Sequence, residues 1–157
     1  MSVQVNQEEQ ANTERRGKSL GDLHTLLESR TETLALLQQL ADMRPFKAEE
    51  SVQLALQEFC EALVDYTASA HFQLYRFFEE GKERRKAVLE VANRIYPRIA
   101  TTTTRILDFN DEYDCEDHCS NLANLAEDLS RLGEVLADRI QMEDQLIQAL
   151  QSSGRGK

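Results

Sequence analysis

The sequence predicts an all-α fold, an antiparallel four-helix bundle, and three observations carry that prediction. Glycine (6) and proline (2) are scarce in 157 residues, too few for the tight turns of a β-rich fold. Leucine and other apolar residues recur at steps of three and four, which lines up one face of a helix. The segments so marked are long and their connections short, which makes consecutive helices antiparallel neighbours. A chain of this length, 41% hydrophobic, fits one domain with a sizeable core better than two.

Residues 1–17, MSVQVNQEEQANTERRG, are polar and have almost nothing to bury, so they are expected to be disordered or loosely docked. The bundle is assigned to 18–151 and a flexible tail to 152–157. Helix one is predicted from Leu20, Leu23, Leu27, Leu34, Leu37 and Leu40, with Pro45 forcing a break after Met43. Helix two runs from about Lys47 through Leu56, Phe59, Cys60, Leu63, Val64, Leu74 and Phe78, and Gly81 is placed to cap it. Helix three follows the basic patch Lys82, Arg84, Arg85 and Lys86, with Val88, Val91, Ala92, Ile95, Ile99, Ile106 and Phe109 on one side. Pro97 lies inside it, and because proline lacks a backbone donor and crowds the preceding turn, a kink or a split is expected there. A loop over about 110–119 then leads to helix four, whose stripe is Leu122, Leu125, Leu129, Leu132 and Leu136, resuming at Leu146, Ile147 and Leu150.

That stripe is interrupted. Its next positions after Leu136 are Arg139 and Glu143. Two readings stand: the charges pair with each other at i,i+4 while Ile140 and Ile147 take over the core, or the bundle opens here into a polar cavity where Arg139, Glu143 and Asp144 face a ligand or partner. Helix two has a matching irregularity in LVDYTASAHF, where Asp65 and His71 lie close to the apolar face and Ala68, Ser69 and Ala70 are small enough for close helix approach. These are a structural carboxylate and a packed histidine, or else both irregularities line one depression.

The formal net charge is -10, and the excess is local: residues 101–150 carry 3 basic and 12 acidic side chains. An acidic surface repels DNA, RNA and anionic membranes, which argues against direct nucleic-acid or membrane binding and allows a basic partner. The run Asp108, Asp111, Glu112, Asp114, Glu116 and Asp117 is a solvated acidic loop or an electrostatic landing site. Three cysteines, no signal-peptide pattern and no apolar stretch long enough to span a bilayer point to a reducing cytoplasm. Cys115, His118 and Cys119 could touch one zinc, but a structural site wants a fourth ligand. Neither His24, His71 nor His118 has a glutamate three residues earlier, so the di-iron pattern of four-helix bundles is missing. No nucleophile elbow or paired-carboxylate cleft can be argued. Neither a cofactor nor a metal is expected, and no enzyme activity.

Phe59-Cys60-Glu61-Ala62-Leu63-Val64-Asp65-Tyr66, continuing to Ala70-His71-Phe72-Gln73-Leu74-Tyr75, resembles the signature of the Rsd/AlgQ family of bacterial anti-sigma regulators. Ile95-Tyr96-Pro97-Arg98-Ile99, Phe109-Asn110-Asp111, Leu132-Gly133-Glu134-Val135-Leu136 and Arg139 through Ile147 look like its AlgQ branch, in the same order. The likeness covers roughly residues 20–150. It implies a non-catalytic helical bundle that binds region four of the primary sigma factor, a basic helix-turn-helix unit, and so blocks its promoter and core polymerase contacts. By match to the family pattern the partner-binding residues are Asp65, His71 and Phe72 on helix two and Arg139, Glu143 and Asp144 on helix four. The first helix departs from that pattern: where the family has Leu-Ile-Asp-Arg-Trp-Leu, this chain has Asp22-Leu23-His24-Thr25-Leu26-Leu27, and of helix one only Leu27 is carried over. The alternatives are an adaptor for another cytoplasmic protein, such as an alarmone-metabolising enzyme, and a metal-binding bundle.

Overall fold

The computed structural model of the chain describes residues 23–76, 85–113 and 122–155, the last four by backbone alone. The described residues form four helices: α1 over 23–41, α2 over Glu50–Ala70 with a π-helical turn His71–Tyr75 continuing it, α3 over Lys86–Tyr113 and α4 over Leu125–Arg155. No strand occurs among the described residues. The N-terminal extension, Gly81 and the Cys115, His118, Cys119 cluster lie outside them.

Burial follows the predicted stripes closely on α3 and α4. Val88, Ala92, Ile95, Ile99, Thr102, Ile106, Phe109 and Tyr113 are all buried, a strict alternation of four and three that keeps one face inward. The helix runs past the predicted loop start to Tyr113, whose hydroxyl donates to Asp128 at 2.5 Å. It is also continuous through Pro97 rather than split. Pro97 and Asn93, the residue whose carbonyl loses its partner, are both exposed, so water can take the place of the missing N–H. On α4, Leu125, Leu129, Leu132, Leu136, Leu146 and Ile147 are buried, joined by Met142.

On α1 the inward line is Leu23, Leu26, Thr33 and Leu40, and Leu34 is exposed. Leu27 and Leu37 pack against the core only in part. Thr33 holds a core position because its hydroxyl is satisfied, donating to the Ser29 carbonyl at 2.9 Å and the Ala62 carbonyl of α2 at 3.1 Å. Helix α2 starts at Glu50, three residues later than its apolar pattern suggests, and buries Val52, Leu56, Phe59, Cys60, Leu63, Tyr66 and Ala70. Val64, part of the predicted apolar series, faces out.

Cross-helix contacts fix the directions. Phe59 meets Phe109 edge to face at 6.0 Å and Tyr75 meets Tyr96 at 6.3 Å, so α2 and α3 run antiparallel. Arg85 donates to the Leu150 carbonyl while Tyr113 reaches Asp128, so α3 and α4 do the same. Full burial of one such leucine or phenylalanine contributes about 1.5–3 kcal/mol, and the core cluster runs unbroken from Leu23 to Ile147.

Candidate functional site

Two features occupy the middle of the bundle: a buried polar network and an apolar groove above it. Arg139 and Glu143 are 1% and 0% exposed, which is costly for charged groups unless each is paired and hydrogen-bonded. Both conditions are met. Arg139 Nε lies 3.2 Å from Glu143 Oε2, and the same oxygen accepts the hydroxyls of Tyr66 and Tyr75 at 2.7 Å each. Arg139 Nε also donates to the Tyr66 hydroxyl at 3.2 Å, and its Nη1 donates to Thr102 and Thr103 at 3.1 and 2.7 Å. The guanidinium stacks over the rings of Tyr66 and Tyr75, 5.5 and 5.4 Å from their centroids. From α1, Arg30 reaches Glu143 at 3.4 Å and Asp144 at 2.9 Å. Side chains of α1, α2 and α4 therefore meet at one carboxylate, and α3 joins them through Arg139.

Electrostatics follow from this geometry. Burial, then the Glu143 charge, pushes the Tyr66 and Tyr75 hydroxyls far above the ordinary phenol range. Burial works against the Arg139 cation, but Tyr75, Tyr66 and Glu143 outweigh it and hold its pKa above the usual value. The two tyrosines thus stay neutral donors and the arginine stays charged.

Tyr66 and Tyr75 are nine residues apart, which in a regular helix of 3.6 residues per turn puts them on opposite faces. The π turn brings them together. Its i→i+5 bond, the Arg76 N–H to the His71 carbonyl, spends one more residue per turn than an α-helix, so Tyr75 comes round towards Glu143. The same turn presents His71 and Phe72 at the edge of the groove.

The groove lies between α2 and α3 and encloses about 450 Å³. Val64, Ala68 and Phe72 form one wall, Tyr96, Ala100 and Leu107 the other, and Thr103, Tyr75 and Arg139 lie along its base. Phe72 is 61%, Leu107 47% and Val64 42% exposed, so three large apolar side chains cluster in solvent along one cleft. Scattered exposed apolar residues are ordinary, but a contiguous cluster marks a contact surface.

The residues expected from sequence divide accordingly. His71, Phe72 and Arg139 line the groove. Glu143 lies below it, buried in the network, and Asp144 is exposed on the far side of that network, paired with Arg30. Asp65 is exposed on α2 and Leu27 is half-buried on α1, and neither lines the groove. Asp65 and His71 are therefore not packed in the core. Of the two readings for Arg139 and Glu143, the pair is what forms, with Ile147 buried and Ile140 half-buried, and it is tied to three other helices rather than left to itself. Tyr66 and Tyr75 fall within the family signature, but neither they nor Thr102, Thr103 and Arg30 were among the expected site residues. Only the tyrosines carried a signal, as polar-tipped aromatics on an apolar stripe.

Among the described residues no three His, Cys, Asp or Glu side chains are grouped to hold a metal, and no helix is long and apolar enough to cross a membrane. These features define a class, an acidic four-helix bundle with a polar centre and an open apolar side groove. Residues 5–151 match the family described as regulator of RNA polymerase sigma(70) subunit, Rsd/AlgQ, and the chain belongs to that family. It is similar to proteins named "Regulator of sigma D": 31% identical over 140 residues to that of Yersinia enterocolitica, covering 87% of this chain and 84% of the relative. Against that of Salmonella newport it is 34% identical over 140 residues, covering 86% and 85%. No solved structure matches the chain significantly.

Proposed function

We propose that this protein is an anti-sigma regulator that binds region four of the primary sigma factor and thereby blocks its promoter and core polymerase contacts. The observation that carries the reading is the groove: Phe72, Val64 and Leu107 are held exposed along one cleft in a member of a family of sigma(70) regulators. Charge supports it. A chain of net charge -10 attracts a basic DNA-reading domain and competes with DNA for it, while apolar contacts hold the complex. On this reading the protein works in the cytoplasm, where it meets polymerase, and acts by occupancy rather than by chemistry. Asp65 and His71 stand beside Phe72 on α2 as rim contacts, Arg139 forms the base, and Glu143, Asp144 and Leu27 act by holding α4 and α1 in place.

The test is a titration of the purified chain with sigma region four by calorimetry. A 1:1 complex that weakens as salt rises is expected. Phe72→Ala should weaken it by about thirtyfold, the loss of a well-packed aromatic anchor. An absence of binding at low salt would refute the proposal.

A further inference from the structure

A guanidinium has five N–H donors, and three of Arg139's are accounted for: Nε is shared between Tyr66 and Glu143, and Nη1 serves Thr102 and Thr103. Nη2 hydrogen-bonds to no described residue, and Arg139 is among the side chains that line the groove. Its side chain is 1% exposed. What remains unused of Arg139 is therefore two donors at the base of an otherwise apolar cleft. An occupant that covered the groove without an acceptor would strand both, which costs about as much as a good contact gains.

The walls suggest the shape of the occupant. Val64, Ala68 and Phe72 follow steps of four on α2, and Tyr96, Ala100 and Leu107 extend over about 16 Å of α3 at 1.5 Å per residue. That is the length of about three helical turns, the footprint of an amphipathic helix laid in a groove. Charge selects the acceptor. Arg139 and Arg30 are already balanced by Glu143 and Asp144, so a carboxylate entering the groove would bring a surplus negative charge into a site being desolvated. It would also approach against a net charge of -10. A carboxamide oxygen meets the two donors without that penalty.

We infer that Arg139 Nη2 is a specificity contact, reading an uncharged hydrogen-bond acceptor, a side-chain carboxamide, that the helix seated in the α2–α3 groove presents between its apolar anchors. The inference rests on the proposed binding of sigma region four and names what that partner must offer. It is tested on the wild-type chain by NMR, with arginine side chains labelled with nitrogen-15 and valine and leucine methyls with carbon-13, titrated with unlabelled sigma region four. The Val64 and Leu107 methyls should shift together with the Arg139 Nη2 signal, whose protons become protected from exchange. Methyl shifts with an unmoved Nη2 overturn the inference and leave the proposed function standing. Binding with neither group moved overturns it as well, because the groove is then not the seat, and an absence of binding removes the proposed function with it. If the Nη2 shift vanishes at high salt while the methyl shifts persist, the acceptor is a carboxylate and the assignment of an uncharged group is wrong. Two variants complete the test. Ala100→Trp, at an exposed wall position, fills the groove while leaving every residue of the network in place, and should weaken binding at least about tenfold. Arg139→Lys, compared at a temperature where its fold is verified, should weaken it about tenfold while Val64 and Leu107 still shift at saturation; unchanged affinity in either variant overturns the inference.

Discussion

Removing Glu143 should cost a large share of the stability of this bundle, and most of the loss should disappear when Arg139 is removed with it. Oε2 of Glu143 takes the Tyr66 and Tyr75 hydroxyls at 2.7 Å and Arg139 Nε at 3.2 Å. In Glu143→Leu the two hydroxyls lose their acceptor, each worth about 1 kcal/mol net, and a cation 1% exposed loses its counter-ion. Breaking a buried pair from one side costs about 3–5 kcal/mol, against a total of about 5–15 kcal/mol for a domain. Arg139→Met should cost a similar amount, since it leaves Glu143 buried and charged. The double variant replaces both charges by apolar groups of similar volume and should lose less than the two single losses added, with a coupling of at least about 2 kcal/mol. Urea unfolding followed by circular dichroism gives all four corners of the cycle, with an unchanged denaturant slope as the check that only stability moved. Single losses below about 1 kcal/mol, or strict additivity, would refute the view that the network is one electrostatic unit.

The raised phenol pKa values of Tyr66 and Tyr75 make alkaline stability a second readout. In the unfolded chain both ionise near pH 10 while the native pair stays protonated, so above that pH the unfolded state binds fewer protons and stability falls as pH rises. Tyr113, raised by burial and by its bond to Asp128, adds to the same effect; each tyrosine contributes a slope approaching about 1.4 kcal/mol per pH unit, and Tyr75→Phe should remove about a third of the total; a flat profile between pH 10 and 11 would contradict this. Gly133→Ala should stabilise α4 by about 0.5–1 kcal/mol in thermal unfolding, because a Cβ there meets nothing within 4 Å. Pro97→Ala should also stabilise, by about 1 kcal/mol or more, by restoring the missing helix N–H at an exposed position. Phe72→Ala should leave stability within about 0.5 kcal/mol of wild type, since the side chain is 61% exposed, so its effect on partner binding reads contact rather than folding.

The four helices, their order and most of their inward faces were determined by the sequence alone. Apolar steps of three and four specify a helix face whatever it packs against, so the α3 stripe from Val88 to Tyr113 and the α4 leucines could be read off before any partner was known. The departure of that stripe at Arg139 and Glu143 was equally visible. What occupied the other side was not. Thr102, Thr103, Tyr66, Tyr75 and Arg30 lie 37, 36, 73, 64 and 109 residues from Arg139 along the chain, and only the packing of four helices brings them to one point. The π turn was hidden for a related reason: five residues, His71 to Tyr75, carry no mark that a turn is one residue wider, yet that width decides whether Tyr75 faces Glu143 or solvent. Local periodicity encodes which residues turn inward. Which of two inward charges is satisfied, and whether the surface beside it closes or stays open as a groove, depends on the distances between helices, and those exist only in the assembled bundle.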